Sequence, residues 1–181
     1  MITLTDRARE IVRDYVDKSD GEFTALRIGI SGGTPLAPDF ELTSHRGGTV
    51  SLSSFRCTHN VIVAFHPLAW TPVCANQMTH YEQDRNWFET HDTRILGISV
   101  DASPTKAEWA KSLGGIAFDL LSDFHPHGAV AAKFGVARDD GISERAVFLV
   151  DKQGAITFAK VYDIPTLPDN AEIRQMIERL R

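Results

Sequence analysis

Thiols are scarce in this chain of 181 residues, which holds two cysteines, Cys57 and Cys74. A pair cannot build the disulfide framework of a small secreted domain, and in a reducing compartment such cysteines are inert or catalytic rather than structural. Long apolar runs are missing as well. No stretch approaches the ~20 residues of a membrane span, and the N-terminus lacks a charged-then-apolar signal pattern, so a cytoplasmic protein with no membrane partner is expected. Positive charge is not in excess either. Lys and Arg number 19 against 24 Asp and Glu, a formal net charge of −5, which argues against nucleic acid as a partner. Repeats and low-complexity tracts are also absent. What is present is an ordinary globular composition, long enough for one domain with a sizeable core and a short appendage.

One stretch concentrates chemistry. Val61-Ile62-Val63-Ala64-Phe65-His66 is a short apolar run of β-branched and aromatic residues, the pattern of a fully buried strand. Pro67 stops it, because proline cannot donate to a ladder. Thr71-Pro72 then opens a helix, with threonine as N-cap and proline at the first helical position, which leaves Cys74 in the first turn. A thiol there lies among unpaired backbone N–H groups at the positive end of a helix dipole, a setting that favours the thiolate.

Around it the chain alternates strands with helices from Phe40 onward. Strands are expected at Val50–Leu52, Arg94–Val100 and Ala117–Leu121, and helices from Thr71 to about Thr90, from Ser103 to about Leu113 and from His127 to Phe134. Ala146–Val150 and Ala155–Val161 form a hairpin around Asp151-Lys152-Gln153-Gly154, and Asp169 with Glu172 makes a capping box for a last helix running to the C-terminus. The class implied is an α/β sandwich with a mixed sheet.

Residues 1–33 read as a separate unit. A helix with apolar Ala8, Ile11, Val12, Tyr15 and Val16 precedes an alternating strand, Leu26, Ile28 and Ile30, and Thr34-Pro35-Leu36-Ala37-Pro38-Asp39 makes a proline-rich junction. Ile2-Thr3-Leu4-Thr5-Asp6-Arg7-Ala8 and Ala25-Leu26-Arg27-Ile28-Gly29-Ile30 resemble the start of HesB-type iron–sulfur carrier proteins. The segment has no cysteine, and a cluster needs several thiolates. A packing or dimerisation extension is therefore the preferred reading, without a cofactor.

From Ala37 a second resemblance covers most of the chain. Pro67-x-x-x-Thr71-x-x-Cys74 is similar to the peroxiredoxin active-site motif, and Ala37-Pro38-Asp39-Phe40, Ser122-Asp123-Phe124-His125-Pro126-His127-Gly128 and Ser143-Glu144-Arg145-Ala146-Val147-Phe148 resemble other segments of that family. The resemblance implies a thioredoxin-like fold over residues 35–181 and a thiol peroxidase of the one-cysteine, AhpE-like branch, expected as a homodimer. Its peroxidatic cysteine would be Cys74, with Pro67, Thr71 and Arg145 as companions. Such a cysteine attacks the O–O bond of hydrogen peroxide or an organic hydroperoxide and becomes sulfenic acid.

Acidity alone does not make a fast peroxidase. A thiol whose pKa falls from ~8.5 to ~6 gains about 30-fold in thiolate at pH 7. It loses about 13-fold in nucleophilicity at a Brønsted slope near 0.45, for a net gain of about twofold. Positioning the peroxide and stabilising charge on the departing oxygen must supply more. Arg145 is the fixed fork of donors for that work; the plainer reading is a surface ion pair with Glu144. Thr71 is expected to accept the Cys74 N–H as a cap while turning its hydroxyl toward sulfur or peroxide. The Val73 and Cys74 amides add donors, Pro67 shields the sulfur, and Gln77, one turn on, is a candidate supporting hydrogen-bond partner for the substrate. Met78 and Tyr81 share that helical face as core.

The position five residues after Cys74 is Thr79, and no cysteine follows. Cys57 lies before a strand of six residues that ends short of Cys74, about 20 Å away at ~3.3 Å per residue, while a disulfide needs Cα atoms within ~7 Å. An external thiol is expected to recycle the enzyme: a thioredoxin, glutaredoxin, mycothiol-type system or small thiol. A dithiol–disulfide reductase would need a Cys-x-x-Cys pair, where this chain has Thr71-Pro72-Val73-Cys74. A non-enzymatic interaction protein recruiting partners through residues 1–33 is the remaining alternative. His66, His80, His125 and His127 are read as polar loop positions rather than metal ligands, lacking carboxylate or thiolate company.

Overall fold

The apolar run before Pro67 is the spine of the molecule. The computed structural model of the protein describes residues 34–180, so the helix–strand unit expected over residues 1–33 lies outside the described residues. Seven strands make one sheet: β1 (Glu41–Ser44), β2 (Thr49–Ser51), β3 (Asn60–Phe65), β4 (Thr93–Ser99), β5 (Asp119–Ser122), β6 (Arg145–Val150) and β7 (Ile156–Tyr162). Their order is β2-β1-β5-β4-β3-β6-β7. β3, β4 and β5 run parallel, and the flanking pairs are antiparallel. The helices are α1 (Pro72–Thr90), α2 (Ser103–Ser112), α3 (Ala129–Lys133) and α4 (Asn170–Glu178).

Both faces of the sheet are covered, which is why β3 reads as an unbroken apolar run rather than an alternating one. Ile62 and Ala64 join Met78, Tyr81, Phe88, Trp109, Ile173 and Ile177 in a core on one face, with Val147 and Leu149 of β6. Val61, Val63 and Phe65 join Val130, Ala131, Ala146 and Phe148 in a core on the other. Since side chains alternate along a strand, His66 falls on the face of Ile62 and Ala64, and Arg145 on the face of Val147 and Leu149. That is the face on which α1 and Trp109 of α2 lie. In the middle of β4, Gly97 lets α1 settle onto the sheet. A Cβ there would stand 2.8 Å from Leu120 Cδ2 and 3.0 Å from Met78 Sδ.

The structure departs from the sequence reading in several places. β1 is an addition to the strands the sequence predicts; Phe40 to Ser44 alternates buried and exposed and pairs with β2 across a turn at Gly47-Gly48, both at positive φ. Leu52–Phe55 is a 3-10 turn rather than the end of a strand. α3 begins two residues later than expected, because Gly128 is left-handed (φ 67) and the Asp123 carboxylate reaches across to take the Val130 and Ala131 amides at 2.9–3.1 Å. The capping box of α4 is half made. Asp169 accepts the Ala171 amide at 2.8 Å, while Glu172 turns away to Lys160 and Tyr162. The helix itself ends at Glu178.

Candidate active site

Cys74 lies where three elements meet. It is the third residue of α1, and its side chain is 0% exposed. Trp70, 57% exposed, precedes the helix at φ 64, a left-handed conformation uncommon for a bulky residue. Thr71 follows in extended conformation and its carbonyl takes the Ala75 amide at 2.9 Å, the first bond of the helix. The expected side-chain cap is not made. Thr71 Oγ1 donates instead to the Leu68 carbonyl at 2.9 Å, which pins the Pro67–Thr71 loop closed and leaves the first-turn amides of Val73 and Cys74 without a capping side chain. The hydroxyl, with its proton committed, still has lone pairs to accept a peroxide O–H.

Arg145 opens β6 and is 1% exposed, so it is not a surface partner for Glu144, which pairs with Arg138 at 3.1 Å. Its guanidinium is fixed on three sides. Nη2 stands 3.4 Å from Cys74 Sγ, Nη1 donates to Gln77 Oε1 at 2.5 Å, and Nε donates to the Ile164 carbonyl at 2.9 Å. Gln77 is buried one helical turn past Cys74 and also reaches the Tyr81 hydroxyl at 3.5 Å. It touches the arginine, a placement its spacing alone did not reveal. Burial raises the Tyr81 phenol to about 12, so it stays protonated. Pro67 is buried at the end of β3, and Val73 is half-buried beside Cys74.

Below the loop a polar network holds these parts together. Asp101 Oδ2 accepts the Ala69 amide at 2.8 Å and the Ser99 hydroxyl at 2.6 Å, tying the loop to the end of β4. Ser143 donates to the His66 carbonyl at 3.1 Å. His66 itself corrects the sequence reading: it is a fully buried side chain, not a polar loop position, and Lys106 Nζ lies 3.4 Å from its Nε2. Neither Lys106 nor the carbonyl of Ile164 was singled out from sequence. A lysine in a short amphipathic helix reads as solvated, and a backbone acceptor leaves no mark in side-chain pattern. Among the described residues no group of three or more His, Cys, Asp or Glu could hold a metal ion.

Cys57 sits at the other end of the sheet. It is exposed, and its amide donates to the Lys152 carbonyl just past the end of β6, whereas Cys74 contacts Arg145 at the start of that strand. Six residues of strand span about 20 Å.

Comparison with known proteins gives the family. Residues 35–159 match the model of the AhpC/TSA family. The chain is 40% identical over 126 residues to alkyl hydroperoxide reductase E of Mycobacterium tuberculosis, covering 69% of this chain and 82% of that protein. It is 30% identical over 149 residues to the chloroplastic 2-cysteine peroxiredoxin of Chattonella marina var. antiqua, covering 77% and 73%. Among solved structures, the reduced 2-Cys peroxiredoxin of Plasmodium vivax superposes with a TM-score of 0.75 at 28% identity, covering 80% of this chain and 79% of that one. Peroxidoxin BcpB of M. tuberculosis gives 0.69 at 26% identity, covering 82% and 95%. The mixed sheet flanked by helices is accordingly the thioredoxin-like fold of these proteins, and the chain belongs to the AhpC/TSA family as a peroxiredoxin, a thiol-dependent peroxidase.

Proposed function

We propose that the protein reduces hydrogen peroxide and small organic hydroperoxides through Cys74 alone, and that an external thiol restores it. The contact of Arg145 Nη2 with Cys74 Sγ at 3.4 Å carries this reading. A guanidinium has five N–H donors; those aimed at Cys74, Gln77 and the Ile164 carbonyl leave one on each terminal nitrogen for a peroxide. The sulfur attacks the nearer oxygen, the O–O bond breaks, and the farther oxygen leaves as hydroxide or alkoxide to be protonated to water or alcohol. Arginine beside both sulfur and peroxide stabilises the charge as it moves from one to the other. The Val73 and Cys74 amides supply further donors, the Thr71 hydroxyl accepts a hydrogen bond from the peroxide O–H, and Pro67 and Gln77 keep the pocket dry and the arginine in place.

The sulfenic acid then needs a partner thiol. Separation of Cys57 and Cys74 by the length of β6 supports an outside donor of the thioredoxin, glutaredoxin or mycothiol type. Peroxide consumption with such a donor should vanish in Cys74→Ser and persist in Cys57→Ser; survival in the former or loss in both contradicts the reading. We further propose a cytoplasmic homodimer, with residues 35–181 as its catalytic unit. Leu68, Trp70 and Phe124 expose apolar area on loops at the C-terminal ends of β3 and β5, the kind of patch a second copy covers. Sedimentation of Trp70→Glu is expected to show weakened self-association, and unchanged stoichiometry would place the interface elsewhere.

A further inference from the structure

Lys106 is a buried cation that the peroxidase chemistry described above does not use. Its side chain is 0% exposed, on α2, and among the described residues no carboxylate lies within ion-pair distance of it. Its hydrogen-bond partner is neutral: His66 Nε2 at 3.4 Å. A lysine taken out of water without an ion pair costs stability, and an apolar side chain of similar length would pack there at less cost. Packing alone does not explain it.

Its surroundings do. The register that pairs Phe65 with Ala146 brings the next residues, His66 and Arg145, side by side on the α1 face. Arg145 touches Cys74, and Lys106 touches His66, whose ring leans on Trp109 at 5.3 Å between centroids. A continuous buried row therefore runs Cys74, Arg145, His66, Lys106 from α1 across the end of the sheet to α2. His66 is held neutral, well below the ordinary histidine range, by burial and then by the positive charges of Lys106 and Arg145. Its Nδ1 has no hydrogen-bond partner among the described residues.

We propose that Lys106, acting through His66, is a positioning residue of the Cys74 site that sets a second positive charge behind Arg145. The groups facing it come from every element around it. Asp101 follows β4, Cys74 is on α1 and Asp123 follows β5, and all three attract its charge. Arg145 of β6 acts on His66, and His45, in the β1–β2 turn, feels the lysine as a repulsion. Burial outweighs the attractions and brings the ammonium down to about 7. The second charge is thus present in mildly acidic solution and fades as the medium turns alkaline.

The inference rests on Cys74 as the reactive sulfur, so its test has two readouts on the full chain. One is the rate of Cys74 alkylation by iodoacetamide, resolved from Cys57 by peptide mass; the other is the single-turnover reaction with hydrogen peroxide. Across neutral pH the wild-type profiles should contain an ionisation at about 7. Lys106→Met should remove it and slow both reactions below that pH by about threefold or more, while the thermal midpoint holds or rises. His66→Phe, which keeps the charge and removes its acceptor, should move the ionisation to lower pH. It carries the test should the methionine variant fail to fold. Profiles identical to wild type in these variants, or a lowered midpoint in Lys106→Met with the ionisation still present, would make Lys106 a packing residue and overturn the proposal. Wild-type protein that alkylates with the expected profile yet ignores peroxide would support the charge and sink the peroxidatic role of Cys74.

Discussion

In the proposed reaction the deciding side chain is Arg145, and what the structure shows of it is a guanidinium that is held as well as charged. Cys74, Gln77 and the Ile164 carbonyl each take a different nitrogen of its guanidinium, so its plane is fixed by the protein's own contacts. Lysine keeps the charge and loses the fork. Arg145→Lys is therefore expected to slow peroxide reaction by about 100-fold, roughly 2.7 kcal/mol of barrier; stopped-flow loss of intrinsic fluorescence is one way to follow it. Gln77→Ala removes one of the three anchors and should cost about tenfold, from the same constant. A Gln77→Ala enzyme as slow as Arg145→Lys would show that Gln77 does more than hold the arginine. Thr71 teaches a related point. The sequence predicts its hydroxyl as a helix cap, but it closes the loop onto Leu68 instead, because an N-cap side chain can turn back to a preceding carbonyl as well as forward to an amide.

At the scale of elements, the site depends on how closely α1 sits on the sheet. Met78 and Cys74 share a helical face, and Met78 rests over Gly97 of β4. Gly97→Ala forces a Cβ against Leu120 and Met78, and overpacking of this kind costs about 1–3 kcal/mol. A lower thermal midpoint together with slower peroxide reaction is the expected result; lowered stability at full speed would mean that α1 tolerates the shift. Much of this level was legible in the sequence. The β3 run, Pro67, the Thr71-Pro72 helix start and the Asp151–Gly154 hairpin each carry strong local signals, and each element is found. Short pieces were harder. β1 has four residues whose alternation is plain only once β2 is seen beside it, and α3 is set by the distant carboxylate of Asp123. Arg145 was legible as a candidate through motif resemblance, yet its anchors were not, since Ile164 contributes only a backbone oxygen. Lys106 escapes the sequence reading, and His66 is taken there for a polar loop position, for one physical reason: burial of a polar side chain is a tertiary outcome with no periodicity of its own.

For the whole molecule, the buried row gives stability an unusual pH dependence. Unfolded, Lys106 holds its proton up to about 10.5; folded, it releases it at about 7. Between those values the unfolded chain binds more protons, so the contribution of this residue to stability rises with pH and is fully present only above the upper value. His66 works in the same sense lower down, its neutral folded form being penalised as pH falls below about 6.5. Denaturant melts of wild type are expected to show a rise in stability between neutral and alkaline pH that Lys106→Met loses, and a rise that survives the substitution would assign it to another group. Catalysis is expected to need residues 35–181 alone, so a chain lacking residues 1–33 should turn over peroxide at a rate near wild type. The most direct measurement of the central claim is to mix fully reduced protein with one equivalent of hydrogen peroxide, trap with dimedone, and read each cysteine by peptide mass. The account expects the trapped sulfenic acid at Cys74 with Cys57 still a thiol; an adduct at Cys57 with Cys74 untouched would contradict it.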